Sequence, residues 1–168
     1  VDIYNSGGIV NLICGDLENA KKNLKRALSL APNDQGWFVT SQLVVTLYQL
    51  GDVDEIKELI FEKIDYIDMP AHMVAIYAAI QIDENNLDEA KKYLEVANKK
   101  GLTEASIFRQ FFKPKPAKEF IEKILGVEGL RRSVVIASPA DSSPLSICFI
   151  IFGCLCSSAV ICASKAFL

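Results

Sequence analysis

Apolar residues recur at helical spacing along the first hundred residues, and polar turns interrupt them at regular intervals. Ile3, Ile9, Val10, Leu12 and Ile13 predict a helix from Asp2 to Cys14, although Gly7 and Gly8 lower its intrinsic propensity. Gly15 then permits a tight turn. Leu17, Ala20, Leu24, Ala27, Leu28 and Leu30 form the apolar stripe of a second helix, with Lys21, Lys22, Lys25 and Arg26 as its solvated outer face and Pro32 as its end. The pattern returns at Trp37: Val39, Leu43, Val44, Leu47 and Leu50, a Gly51-Asp52 turn, then Ile56, Leu59, Ile60 and Ile64, closed by Pro70. It returns again with Val74, Tyr77, Ala78 and Ile82, an Asn85-Asn86 turn, and a stripe from Leu87 to Ala97. After Gly101, Thr103 is placed to cap a helix with Glu104 in its first turn; Lys113 to Pro116 breaks it, and Ala117 to Leu125 makes a short amphipathic helix ending at Gly126.

The spacing of the turns gives the pattern a period. Gly51 and Asn85 stand 34 residues apart and Gly15 and Gly51 stand 36 apart, the two extra residues fitting at Gln35-Gly36. A 34-residue helical period is diagnostic of one repeat class. Residues 1–104 resemble three tetratricopeptide repeats, 1–34, 37–70 and 71–104, the first through Tyr4, Gly8, Ala20, Ala27 and Pro32, and the third through Ala78, Ala90, Leu94 and Ala97. The second departs from the family, with Val44, Ile56 and Lys63 where small residues are preferred, which implies a wider helix spacing or a local twist.

The resemblance implies an all-α, right-handed superhelical α-solenoid, with residues 105–128 as capping helices over its last apolar face. It also implies a non-catalytic protein-interaction scaffold, in which the first helix of each pair lines a concave groove. Carried over position by position, the groove comprises Asp2, Asn5, Ile9, Phe38, Ser41, Val45, Tyr48, Gln49, His72, Ala75 and Ala79. The family's basic clamp for acidic chaperone tails needs Lys, Asn and Arg. Here Asn5 is accompanied by Ile9, Gln42, His72 and Ile76, so such tails are not expected to bind. Phe38 and Tyr48 are either anchors for an extended or helical partner segment or packing residues against a neighbouring repeat.

Charge changes the picture at the C-terminal end. No Asp, Glu, Lys or Arg occurs between Ser142 and Ser164, and this stretch supplies part of the mean hydropathy of +0.23. Residues 129–144 contain Arg131-Arg132 followed by SPADSSP and read as a linker. Residues 145–164 are uncharged and would span about 30 Å as a helix, enough for one bilayer crossing. The expectation is a tail anchor with the repeats on the cytoplasmic-equivalent side, where Arg131 and Arg132 would hold them. Gly153 with Ser157, and Ala159 with Ala163, could meet other transmembrane helices. Three further readings share the segment: a buried helix in a larger assembly, a glycolipid-anchor signal, or an artefact of the gene's reading. The chain opens on Val rather than Met, which fits a piece of a longer protein.

A net charge of -3 supplies no basic face for nucleic acid. Among the five cysteines, Cys148, Cys154, Cys156 and Cys162 are spaced six, two and six apart, which is not a zinc or redox pattern. No phosphate-binding glycine loop or nucleophile elbow occurs, and a single histidine, His72, excludes a multi-histidine metal site within the chain; His72 is expected to face solvent or the groove. No cofactor or metal is expected and the chain reads as a non-enzyme. The leading functional expectation is a membrane-tethered adaptor or receptor; the alternatives are a structural accessory subunit of a large membrane complex or a regulatory fragment of a larger protein.

Overall fold

The computed structural model describes residues 1–30, 37–61 and 69–126, all within one compact unit, Val1–Ser138. The expected linker 129–144 and span 145–164 lie outside the described residues, as do Pro32, the Gln35-Gly36 insertion, Lys63, Ile64 and residues 127 and 128. Among the described residues no helix is long and apolar enough to cross a membrane.

Eight helices make up the described chain: α1 (Asp2–Cys14), α2 (Leu17–Leu30), α3 (Phe38–Leu50), α4 (Val53–Phe61), α5 (Ala71–Asp83), α6 (Leu87–Lys99), α7 (Glu104–Phe111) and α8 (Pro114–Leu125). They pack as consecutive antiparallel pairs, α1 with α2, α3 with α4 and α5 with α6, and α2 also lies against α3. The turns work through left-handed backbone: Gly15 at φ 81° and Gly51 at φ 84° let their amides return to the last carbonyls of α1 and α3. Asn85 takes the same region at φ 63°, which asparagine tolerates. Asp16 starts α2, its carboxylate accepting from the Asn19 amide at 3.3 Å.

Burial separates the helices into two kinds. Helices α3 and α5 are apolar nearly all round, and every residue from Val39 to Leu47 and from His72 to Gln81 is buried. Helices α2 and α6 bury only a stripe, Ala20, Leu24 and Ala27 or Ala90, Leu94 and Ala97. The small residues on these stripes allow close approach. At Gly8 the approach is closest: a Cβ there would lie 2.6 Å from Leu24 Cγ, and Leu24 is fully buried. Gly8→Ala is therefore expected to destabilise by about 1–2 kcal/mol, overpacking outweighing alanine's better helix propensity. Gly7→Ala meets only the mobile end of Asn23, at 3.3 Å, and is expected to stabilise by about 0.5–1 kcal/mol. Urea midpoints of the two variants should move in opposite directions, and a shared direction would refute the close-approach account.

Ion pairs cross the borders between helix pairs. Lys21 on α2 reaches Asp52 at 2.6 Å and Glu55 at 2.8 Å, Lys25 also pairs with Glu55, and Lys57 on α4 pairs with Glu84 after α5. This corrects the expectation that Lys21 and Lys25 belong to a solvated outer face: the offset between successive pairs brings the second helix of one against the turn of the next. Hydrogen bonds to Asp52 and then Glu55 hold the Lys21 ammonium above its ordinary pKa. Burial pushes Glu55 upward, but the bonds from Lys21 and Lys25 outweigh it and keep the carboxyl below its ordinary value.

The last two helices form a hairpin. Thr103 caps α7 as expected, its hydroxyl accepting from the Ser106 amide at 3.1 Å while the Thr103 amide donates to Ser106 Oγ at 3.1 Å. Helix α8 begins at Pro114 rather than Ala117, because proline at a first helical position loses no hydrogen bond. The hairpin was expected as a cap over the last apolar face; the contacts that place it are with α3 and α5. It packs on the first helices of the pairs, α7 against α3 and α5 and α8 against α5, while Lys113 Nζ donates to the Cys14 carbonyl at the end of α1 at 3.3 Å.

Candidate functional site

The residues expected to line the groove lie on α1, α3 and α5, and the α7–α8 hairpin divides them into a covered and an open set. Val45, Ala75 and Ala79 are fully buried. Tyr48, expected as either anchor or packing residue, is a packing residue: its ring meets Phe111 edge-on at 6.1 Å and Phe120 edge-on at 5.4 Å. Lys123 sits 5.7 Å from the Tyr48 ring centre and 2.7 Å from Asp83, so the hairpin is also held by charge at the far end of α5. Burial raises the Tyr48 phenol above its ordinary pKa, against an opposing pull from Lys123. Gln42 on α3 donates to Gln110 on α7 at 3.1 Å.

His72 does not face solvent. It is buried and shares a 2.7 Å hydrogen bond, Nε2 to Oγ, with Ser41 one pair earlier. Burial depresses its pKa to about 4, so the imidazole is neutral at physiological pH. The pair has the atoms of a serine–histidine dyad, but both members are buried, which makes this a structural bond between α3 and α5. Among the described residues no three histidine, cysteine or acidic side chains converge as a metal site.

The open set is at the N-terminal end. Phe38 at the start of α3 is 62 % exposed, Asp2 is exposed, and Ile9 is half-buried. Ile13 of α1 belongs with them: it occupies the position of Gln49 on α3, is exposed, and was not singled out from the sequence. Asn5 lies between, 9 % exposed, its Oδ1 with no hydrogen-bond partner among the described residues; Gln49 Nε2 and Gln42 Oε1 are in the same condition. A buried polar atom left unpaired costs about 1–3 kcal/mol, and these atoms are themselves sealed from the surface. The sequence signalled the position of these residues through the repeat, but not which of them the hairpin would cover.

Residues 2–34 match the family profile of the tetratricopeptide repeat, which covers α1, α2 and the turn between them. The chain also resembles the flagellum-specific ATP synthase of Pseudomonas aeruginosa, 75 % identical over 28 residues, 17 % of this chain and 6 % of that protein. The flagellum-specific ATP synthases of two Buchnera aphidicola strains match over the same length at 71 % and 75 % identity. The chain thus spans about 6 % of the curated relatives it matches, a stretch too short to carry their activity. No solved structure matches.

Proposed function

We propose that the chain is a non-catalytic protein-binding module built of three tetratricopeptide-type repeats, 1–34, 37–70 and 71–104, followed by the α7–α8 hairpin, and tethered to a membrane through residues 145–164. The family match at 2–34 supports a role in protein–protein interaction. The observation that carries the site is the apolar surface left open on neighbouring first helices, Phe38 at 62 % exposed on α3 with Ile9 and Ile13 on α1. Apolar groups of the partner pack on Phe38 at one end of the groove and on Ile9 and Ile13 further along α1. The ligand segment is short, because the chain's own hairpin occupies Tyr48, and Val45, Ala75 and Ala79 are fully buried. Other transmembrane helices would meet the small-residue positions of 145–164, and the repeats would stand on the cytoplasmic-equivalent side.

Display of random peptides against the full chain in detergent tests the site. Selected peptides should lose at least about tenfold in affinity to the Phe38→Ala, Ile13→Ala double variant with its helical circular dichroism intact. Undiminished binding would refute this location. Membrane attachment is tested separately, by carbonate extraction of the full chain and of a chain ending at residue 144. Release of both into the soluble fraction would refute the anchor.

A further inference from the structure

The two halves of the junction at which α2 lies on α3 recur in register at the two ends of the described chain. Equivalent positions follow from the turns, 36 residues from the first pair to the second and 34 from the second to the third. Ile3, Gly7 and Val10 of α1 correspond to Val39, Leu43 and Thr46 of α3 and to Met73, Tyr77 and Ile80 of α5. All six positions on α3 and α5 are buried. On α1, Ile3 is 86 % and Val10 39 % exposed.

The ion pairs follow the same register. Lys21, Lys57 and Lys91 are equivalent, and the first two reach forward to the next turn, Lys21 to Asp52 and Glu55 and Lys57 to Glu84. Lys91, on α6, has no ion-pair partner among the described residues. Asp16 is the first-pair equivalent of Asp52, and among the described residues its carboxylate accepts only from Asn19. Leu87 completes the open half: its equivalents Leu17 and Val53 pack against the core, whereas Leu87 is 43 % exposed. The α7–α8 hairpin leaves it so by packing on α3 and α5.

We infer that the occupant of the α1 face is a second copy of this chain, joined end to end. Helix α6 of one copy lies on α1 of the next as α2 lies on α3 within a copy. Leu87 packs against Ile3 and Val10, and Lys91 pairs with Asp16. The charge complementarity is written into the chain, an open lysine at one end and an open aspartate at the other, at the positions where Lys21 meets Asp52; at the next junction Asn86 takes the aspartate's place and Lys57 turns to Glu84. Such an interface is heterologous and does not close on itself, so the assembly grows.

Sedimentation velocity of the full chain in mild detergent reads this. The weight-average mass should rise past that of a dimer as concentration increases. Ile3→Glu should hold the chain monomeric, and Lys91→Glu and Asp16→Lys should each weaken association about tenfold by setting like charges opposite one another. Asp16→Lys also removes the cap of α2, so the decisive variant is the double reversal, which should recover most of the association. A monomer at every concentration, a dimer that stops growing, or an association unmoved by all of these substitutions would overturn the proposal. The last result would place self-association on another surface, residues 145–164 included.

Discussion

Truncating Phe111 to alanine is expected to cost about 3–5 kcal/mol, the range for removing a large aromatic ring from a packed core. Phe111 is 1 % exposed and lies between Tyr48 and Phe120, its ring 5.0 Å from that of Phe120. The ring is the contact through which α7 reaches α3 and α8 at once, so no neighbour can fill the space without moving the hairpin. Phe111→Leu keeps most of the volume and should cost less than half as much. Urea denaturation of both variants checks the magnitudes. A loss below about 1 kcal/mol in Phe111→Ala would mean that the hairpin contributes little to holding the pairs together. If the hairpin detaches before the rest unfolds, the alanine variant will show a lower m-value, because less surface remains to be exposed in the main transition.

Acid should destabilise the chain through His72, and the direction follows from where the ring titrates. Its folded pKa of about 4 lies below the ordinary 6.5, so the unfolded chain binds the proton first. The contribution is complete above about pH 6.5 and is lost as the pH falls from there toward 4, amounting to about 3 kcal/mol at most. Protonation would place a charge in a buried site whose recorded partner is the neutral Ser41 hydroxyl. Since His72 is the only histidine, its ring resonances are unambiguous in an NMR titration. A midpoint near 6.5 in the folded protein would refute the buried placement. His72→Gln should flatten the stability profile across the same pH window, leaving the part due to carboxylates such as Glu55.

Both results concern contacts between residues far apart in sequence, and that is where sequence reading stopped. Period, turn residues and small-residue positions are local signals, so the eight described helices were legible, α8 starting three residues early and the expected continuation of α4 to Ile64 lying outside the described residues. Thr103 was legible as a cap for the same reason: the cap and the amide it serves are three residues apart. The amphipathic pattern of α7 and α8 showed that Ile107, Phe111, Phe120, Ile121 and Ile124 need cover, but an apolar stripe does not say against which surface it lies. Lys21 and Lys25 looked like ordinary solvated lysines because nothing in a single helix reveals that Asp52 and Glu55 stand opposite.

The sequence by itself determined the helical period, the pairing of neighbouring helices and the register that makes Asp2, Phe38 and His72 equivalent, because each depends on spacing along the chain. Tertiary structure decided that these equivalent residues have different fates. Phe38 is exposed, and His72 is buried against Ser41, because helices with the same repeat position have different neighbours. The hairpin lies on α3 and α5, and that placement covers one part of the inner face and leaves Ile9, Ile13 and Phe38 open. The choice is made by the fit of Phe111 and Phe120 around Tyr48, a complementarity of shapes that exists only once the helices are assembled.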